Sequence, residues 1–209
     1  MADEEAGATK LSQKLSGGER AEKPGPLTAF ALARRLVLTG QRVDMKSLAN
    51  ELGVDRATLF RWVGNRDQLL VEILWSTAEP TWRHAVARAQ GTNAARVVAV
   101  FDEFVRAVIG AEFFVVLMRR EPERTLRLLT TKAGAFQQRL RACVEQLLID
   151  EHDTHGLSLP LPAHELAYLL VRIAESFIYS DLIIGETPDA STATAAIAVV
   201  FGLPNPASS

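Results

Sequence analysis

Apolar side chains recur at three- and four-residue steps over almost all of the chain after residue 25, and no stretch alternates as a strand would. The pattern predicts helices over Leu27–Thr39, Met45–Leu52, Arg56–Val63, Asp67–Gln90, Asn93–Ile109, Ala111–Arg119, Pro122–His152, Pro162–Ile184 and Asp189–Phe201. In the first, Leu32, Leu36 and Leu38 with Ala29, Ala33 and Val37 form the apolar face, and Gly40 ends it. Glycine and proline punctuate the later segments, at Gly91–Thr92, Gly110, Glu121–Pro122, Gly156–Leu161 and Gly185–Pro188. The expected fold is all-α with about nine helices and no fixed-period repeat.

Start and stop signals are densest between Asp44 and Leu70. Asp44 is a good N-cap for Met45–Leu52, whose Met45, Leu48, Ala49 and Leu52 face inward. Gly53 suits the turn that follows, and Asp55 caps Arg56–Val63. Gly64 closes that helix. Asn65 then caps the next one, with Gln68 three residues later as in a capping box. Two short helices around a tight turn, with a supporting helix before and an exit helix after, make a helix-turn-helix. Its second helix turns Arg56, Thr58, Phe60, Arg61 and Trp62 outward and keeps Leu59 and Val63 inward. Cations and aromatics on so short a helix suggest nucleic acid; the alternative is that Phe60 or Trp62 belongs to the core.

Composition restricts this picture. The net charge of −2 argues against non-specific coating of DNA. Local basicity is modest: between Gln41 and Arg66, Arg42, Lys46, Arg56, Arg61 and Arg66 outnumber Asp44, Glu51 and Asp55. Residues 1–25 are poor in large apolar groups and read as a solvated tail. With 209 residues and 48% hydrophobic content, the remainder can bury a full core. There is no apolar run of bilayer length and no signal-peptide pattern, so a cytoplasmic chain without membrane contact is expected. The one cysteine, Cys143, precludes an internal disulfide and fits a reducing compartment.

The segment Val54-Asp-Arg-Ala-Thr-Leu-Phe-Arg-Trp-Val-Gly-Asn-Arg-Asp-Gln-Leu-Leu70 resembles the recognition segment of TetR-family regulators. There a Thr-Leu-Tyr core precedes an aromatic or His pair, a short turn, a basic residue and a helix beginning acidic–x–Leu-Leu. Phe60 stands where Tyr is usual, losing a hydroxyl, and Arg66 where Lys is usual. The resemblance covers Leu27 to Leu74, and the later helices fit the family's ligand-binding domain. It implies a one-component repressor that binds a pseudo-palindromic double-stranded operator as a homodimer, with a small-molecule effector and no cofactor. Residues 26–72 would form the DNA-binding head and 73–204 the ligand-binding and dimerisation domain.

Arg56 can offer two donors to guanine O6 and N7, worth about 1–3 kcal/mol of discrimination. Ala57 is small enough for a thymine methyl, and Lys46 matches a family position that reaches base edges. Thr58, Phe60, Arg61, Trp62 and Arg66 read as backbone clamps or groove-wall contacts. Asn65 completes the DNA-facing set.

Farther on, Tyr168, Arg172, Glu175 and Tyr179 share one stripe of an otherwise apolar helix. Such a stripe either lines a ligand pocket, with Trp75, Phe101, Phe104, Phe113 and Phe114 as apolar partners, or is a surface ion pair beside half-exposed tyrosines. The last helix, with Ala193, Ala196, Ile197, Val199, Val200 and Phe201, is apolar almost all round. Paired with its predecessor it would build a four-helix dimer interface, and Val171, Ile178, Ala196, Val199 and Val200 are the expected contacts. Arg172-Ile-Ala-Glu-Ser-Phe-Ile-Tyr-Ser-Asp-Leu-Ile-Ile-Gly185 also resembles a QsdR-like subgroup of the family, linked to degradation of acyl-homoserine lactone signals. That resemblance implies a lactone or related amphiphile as effector.

His152 and His155, one turn apart among Asp150, Glu151 and Asp153, make a metal conceivable, although a solvated helix end is the plainer reading. No P-loop, HExxH or GxSxG motif is present, so an enzyme is not expected. The remaining rivals are an activator using the same head and a helical protein-interaction module, the latter of which would select no shared motif from random duplexes.

Overall fold

A computed structural model describes residues 24–131 and 135–204, and every regular element among them is helical. The expected tail therefore falls outside the described residues, apart from its last two positions. Eleven helices lie among the described residues, in chain order: α1 (Pro26–Leu38), α2 (Met45–Glu51), α3 (Arg56–Val63), α4 (Arg66–Arg88), α5 (Asn93–Ile109), α6 (Glu112–Arg120), α7 (Pro122–Thr130), α8 (Phe136–His155), α9 (Ala163–Ile178), α10 (Ser180–Ile183) and α11 (Ala190–Val200).

The excess over the expected count comes from two segments that read as continuous. Pro122–His152 divides into α7 and α8, with Thr131 and Ala135 flanking residues 132–134, which lie outside the described residues. Pro162–Ile184 divides at Tyr179, whose φ of −105° and ψ of 15° leave the helical region. The apolar rhythm carries through both breaks, so periodicity alone gave no sign of them.

Sequence chemistry accounts for the sharp early boundaries. The Asp44 carboxylate accepts from the Ser47 amide at 2.8 Å, and the Asp55 carboxylate accepts from the Thr58 amide at 2.8 Å. Asn65 and Gln68 complete a reciprocal capping box at 2.8 and 2.9 Å. Gly64 holds a φ of +70°, and a β-carbon there would collide with the Gln68 oxygen that closes this box.

The head packs α1 against α3 and α4, with Ala29, Ala33, Val37, Leu48 and Leu59 buried between them. In the body, α5 lies among α4, α8, α9 and α11. Trp82 of α4 meets the rings of Phe101 and Phe104 edge-on, at 5.6 and 5.3 Å between centroids. The α4 helix is common to both halves. Its buried Leu69, Leu70, Val71, Ile73 and Leu74 cross the division expected after residue 72 without a break.

The body is fixed at its far end by a buried carboxylate. Glu151 of α8 accepts from the Asn93 amide at 2.7 Å and from the Arg96 guanidinium at 2.5 Å, anchoring the start of α5. Asn93 takes a positive φ of 58° there, a conformation Asn tolerates.

Candidate effector cavity and DNA-facing helix

On α3 the outer face is as expected in part. Arg56, Ala57, Arg61 and the ring of Phe60, 58% accessible, are exposed, and Lys46 of α2 is exposed beside them. Thr58 is half-buried; its hydroxyl donates to Asp55 at 2.8 Å and accepts from Arg61 at 3.1 Å. The Asp55 carboxyl is held below its ordinary range by the Thr58 amide and hydroxyl that bond its charged form. Trp62 is half-buried and packs on the core, so only part of its ring is available outside. Asn65 is exposed, with its side chain engaged in the cap of α4.

Arg66 departs from the outward placement read from its position. Only 13% of its side chain is accessible, because it points to the seam between head and body. Its Nε donates to the Val43 carbonyl at 2.7 Å, and its two terminal nitrogens clasp the Glu121 carboxylate, one at 2.6 Å. The fork geometry of a guanidinium suits this bidentate grip. Around it, Arg42 and Arg124 approach Glu121 at 3.7 and 3.3 Å, while Arg124 and Arg127 hold Asp67 at 2.7 and 2.5 Å. Arg120 donates to the Gly40 carbonyl. Gly40 has a φ of +70°, and a β-carbon there would press on Val116 of α6 at 3.3 Å. None of the carboxylates in this seam was singled out from sequence.

Behind the seam lies an apolar cavity of about 80 Å³, enclosed by α4 to α9 and reaching Tyr179. Phe101, Phe104, Phe113, Phe114, Glu175 and Tyr179 line it, joined by Trp82 and Phe136, which the sequence had not marked. Trp75 is not part of its lining; it meets Phe136 edge-on at 5.8 Å and lies under the Arg139 guanidinium. The expected stripe is thus divided. Glu175 and Tyr179 border the cavity, Arg172 is half-exposed outside the lining and bonds Glu175, and Tyr168 is outside too, on a groove shared with Gln68, Glu72 and Arg141.

Glu175 accepts from Arg172 at 2.6 Å and from the Gln137 amide. Burial pushes its carboxyl up to about 7, against the opposing pull of Arg172 and Gln137. Burial, followed by the Glu175 charge, raises the Tyr179 hydroxyl well above its usual range. A carboxyl raised by folding contributes stability that is complete below its ordinary value near 4.5 and lost as pH rises through about 7. Glu175→Gln is accordingly expected to unfold at higher urea than the wild type at pH 8, by roughly 2–3 kcal/mol, with the gap closing by pH 5. A variant whose stability followed the same pH course as the wild type would contradict the assignment.

The expected dimer contacts fall on two different surfaces. Val171 and Ile178 are buried and line the chain's own cavity, so they do not reach a partner from this conformation. Val199 is exposed, and Ala196 and Val200 are half-buried on the same helix. Leu169, Leu182, Ile183 and Ile184 are exposed apolar residues on α9, α10 and the turn after it. At the other suspected site, His152 bonds the Leu157 carbonyl and His155 approaches Glu151 at 3.1 Å. Among the described residues no group of three or more His, Cys, Asp or Glu is arranged to hold a metal. Nor is any described helix long and apolar enough to cross a membrane.

An exposed basic helix-turn-helix, carried on a helical body with an internal cavity, defines the class of helical DNA-binding regulators. Residues 92–202 match the family described as Tetracyclin repressor-like, C-terminal domain. The R. erythropolis transcriptional repressor QsdR from the TetR family is 32% identical over 85% of this chain and 94% of its own, with a TM-score of 0.79. The TetR-family repressor AlkX from Dietzia sp. strain DQ12-45-1b, implicated in biodegradation of n-alkanes, shares the fold at 23% identity. It covers 86% of this chain and 94% of its own, with a TM-score of 0.58. No curated protein matches. The chain belongs to the TetR family of transcriptional regulators, and a general DNA-binding repressor function follows from that membership.

Proposed function

We propose that the protein is a homodimeric repressor of the QsdR-like subgroup, released from a pseudo-palindromic operator by a small amphiphilic effector bound in the cavity. The observation that carries this reading is the double placement of α6. Its Phe113 and Phe114 border the cavity, while Phe113, Val116, Arg120 and the following Glu121 also border the seam with the head. A ligand pocket usually holds ~300–1,000 Å³, far above the volume present, so an effector must widen the cavity and displace its walls. Because α6 is one of those walls, the wider form repositions the head, and effector binding draws the population away from the DNA-competent spacing.

In this reading Lys46, Arg56 and Ala57 face base edges, and Thr58, Phe60, Arg61 and Trp62 meet the backbone. The half-exposed surface of α9 to α11, around Ala196, Val199 and Val200, pairs with a second copy. The likeness to QsdR supports the subgroup, and a lactone or acyl-homoserine-lactone-related effector is what the sequence resemblance at Arg172–Gly185 implies.

The test is operator selection from random duplexes followed by anisotropy titration in rising salt. A palindromic motif is expected, with affinity falling steeply as salt rises. Arg56→Ala should lose about 1–3 kcal/mol of discrimination at one base pair per half-site. Absence of a shared motif, or wild-type selectivity in Arg56→Ala, would overturn the reading.

A further inference from the structure

We infer that the effector is an uncharged amphiphile whose head carries a carbonyl beside an N–H, the carbonyl accepting from Tyr179 and the N–H facing Glu175. This rests on the cavity reading above and narrows its ligand class. Polar groups are few in this cavity. Thr77 and Thr81 line it, but their hydroxyl hydrogens are already given to the carbonyls of Leu74 and Thr77, at 2.7 and 2.8 Å. Tyr179 is different: only 5% accessible, it borders the cavity, and among the described residues its hydroxyl has no hydrogen-bond partner. Among the described residues no buried side-chain oxygen lacks a partner, so this hydroxyl keeps some accessible surface, where a ligand carbonyl would accept from it in place of water.

One turn earlier, each Glu175 oxygen already accepts one bond, from Gln137 or Arg172, and has a further lone pair to offer. An ionised carboxylate can accept from an N–H but has no donor to give a ligand carboxylate. Arg172, outside the lining, pairs with Glu175 at 2.6 Å and balances its charge, which removes most of the attraction for a cationic head. Among the described residues no other charged side chain lines the cavity, from α4, α5, α6, α7 or α8, and Tyr179 is the one other titratable group there. The remaining wall is aliphatic and aromatic and suits an alkyl tail. A neutral amide satisfies both polar groups at once; an ester satisfies only Tyr179.

Four probes with one tail length separate these heads: octanamide, methyl octanoate, octanoate and octylamine, titrated by calorimetry into the full-length protein at pH 8. Octanamide should bind roughly tenfold more tightly than octanoate or octylamine, and several-fold more tightly than the ester. Tyr179→Phe should weaken the amide and the ester alike by about five- to tenfold. Glu175→Gln should bring octanoate to within about threefold of octanamide. Because the readout is a ratio between ligands of equal tail, a merely loosened fold, which would weaken all four together, cannot imitate it. Octanoate or octylamine binding as well as octanamide, or unchanged ratios in both variants, overturns the head-group assignment while leaving the cavity standing. Binding of none of the four to the wild type overturns the cavity reading, and this one with it.

Discussion

Arg66→Ala is expected to cost about 2–3 kcal/mol of unfolding free energy at neutral pH, one of the largest effects of any change in the head. Removing one partner of a fully buried pair costs ~3–5 kcal/mol, because the other charge is left without compensation. Here Glu121 keeps 18% of its side chain in water and retains Arg42 and Arg124 at longer range, which lowers the figure. The Val43 carbonyl also loses its donor. Arg66 is the main reason that the Glu121 carboxyl sits below its ordinary range. A depressed carboxyl contributes stability present above its unfolded value and lost as pH falls through the folded one. The difference between variant and wild type should therefore shrink on acidification below pH 4.5. Urea unfolding of Arg66→Ala, Glu121→Gln and the double variant measures the coupling; additive losses would show that the clasp carries no energy of its own.

Phe101→Ala should lose about 3–5 kcal/mol, lowering the thermal midpoint by roughly 6–20 °C. The ring is buried at the centre of the body, edge-on to Trp82, and one side of it already borders the cavity. The void left behind joins existing free volume, so the site cannot collapse around the missing ring, and the cost lies toward the upper end. An enlarged apolar cavity should also take up benzene, whose addition would restore part of the midpoint by mass action. A loss under ~1.5 kcal/mol would mean that the walls had closed in.

What sequence revealed and what it hid follow from the range of the interactions. The caps at Asp44, Asp55 and Asn65 act over three residues, and each lies where the local pattern put it. Leu59 is buried and Phe60 exposed for the same reason, since adjacent positions on a short helix face different ways. The clasp of Arg66 on Glu121 joins residues 55 positions apart, and no periodicity encodes that distance. Arg66 consequently read as a clamp on the DNA backbone. Val171 and Ile178 show the same limit from the apolar side. Their spacing marks a buried face correctly, but whether that face turns to the chain's own cavity or to a second copy depends on how α8 and α9 are rotated about each other. The breaks at residue 131 and at Tyr179 were hidden because both flanking helices continue the apolar rhythm.

The continuity of α4 has a consequence for how such a protein can diverge. A reading head that ended in a loop could be exchanged among sensors by recombination at that loop. Here Leu69 and Leu70 on one side of the expected division, and Ile73 and Leu74 on the other, belong to one rigid helix, and the head's surface at Gly40 and Val43 is completed by α6 and Glu121. A graft cut at residue 72 would sever that helix and strip the head of its supports. On the function proposed above, a change of operator or effector by substitution on α3 or around the cavity would leave that joint whole.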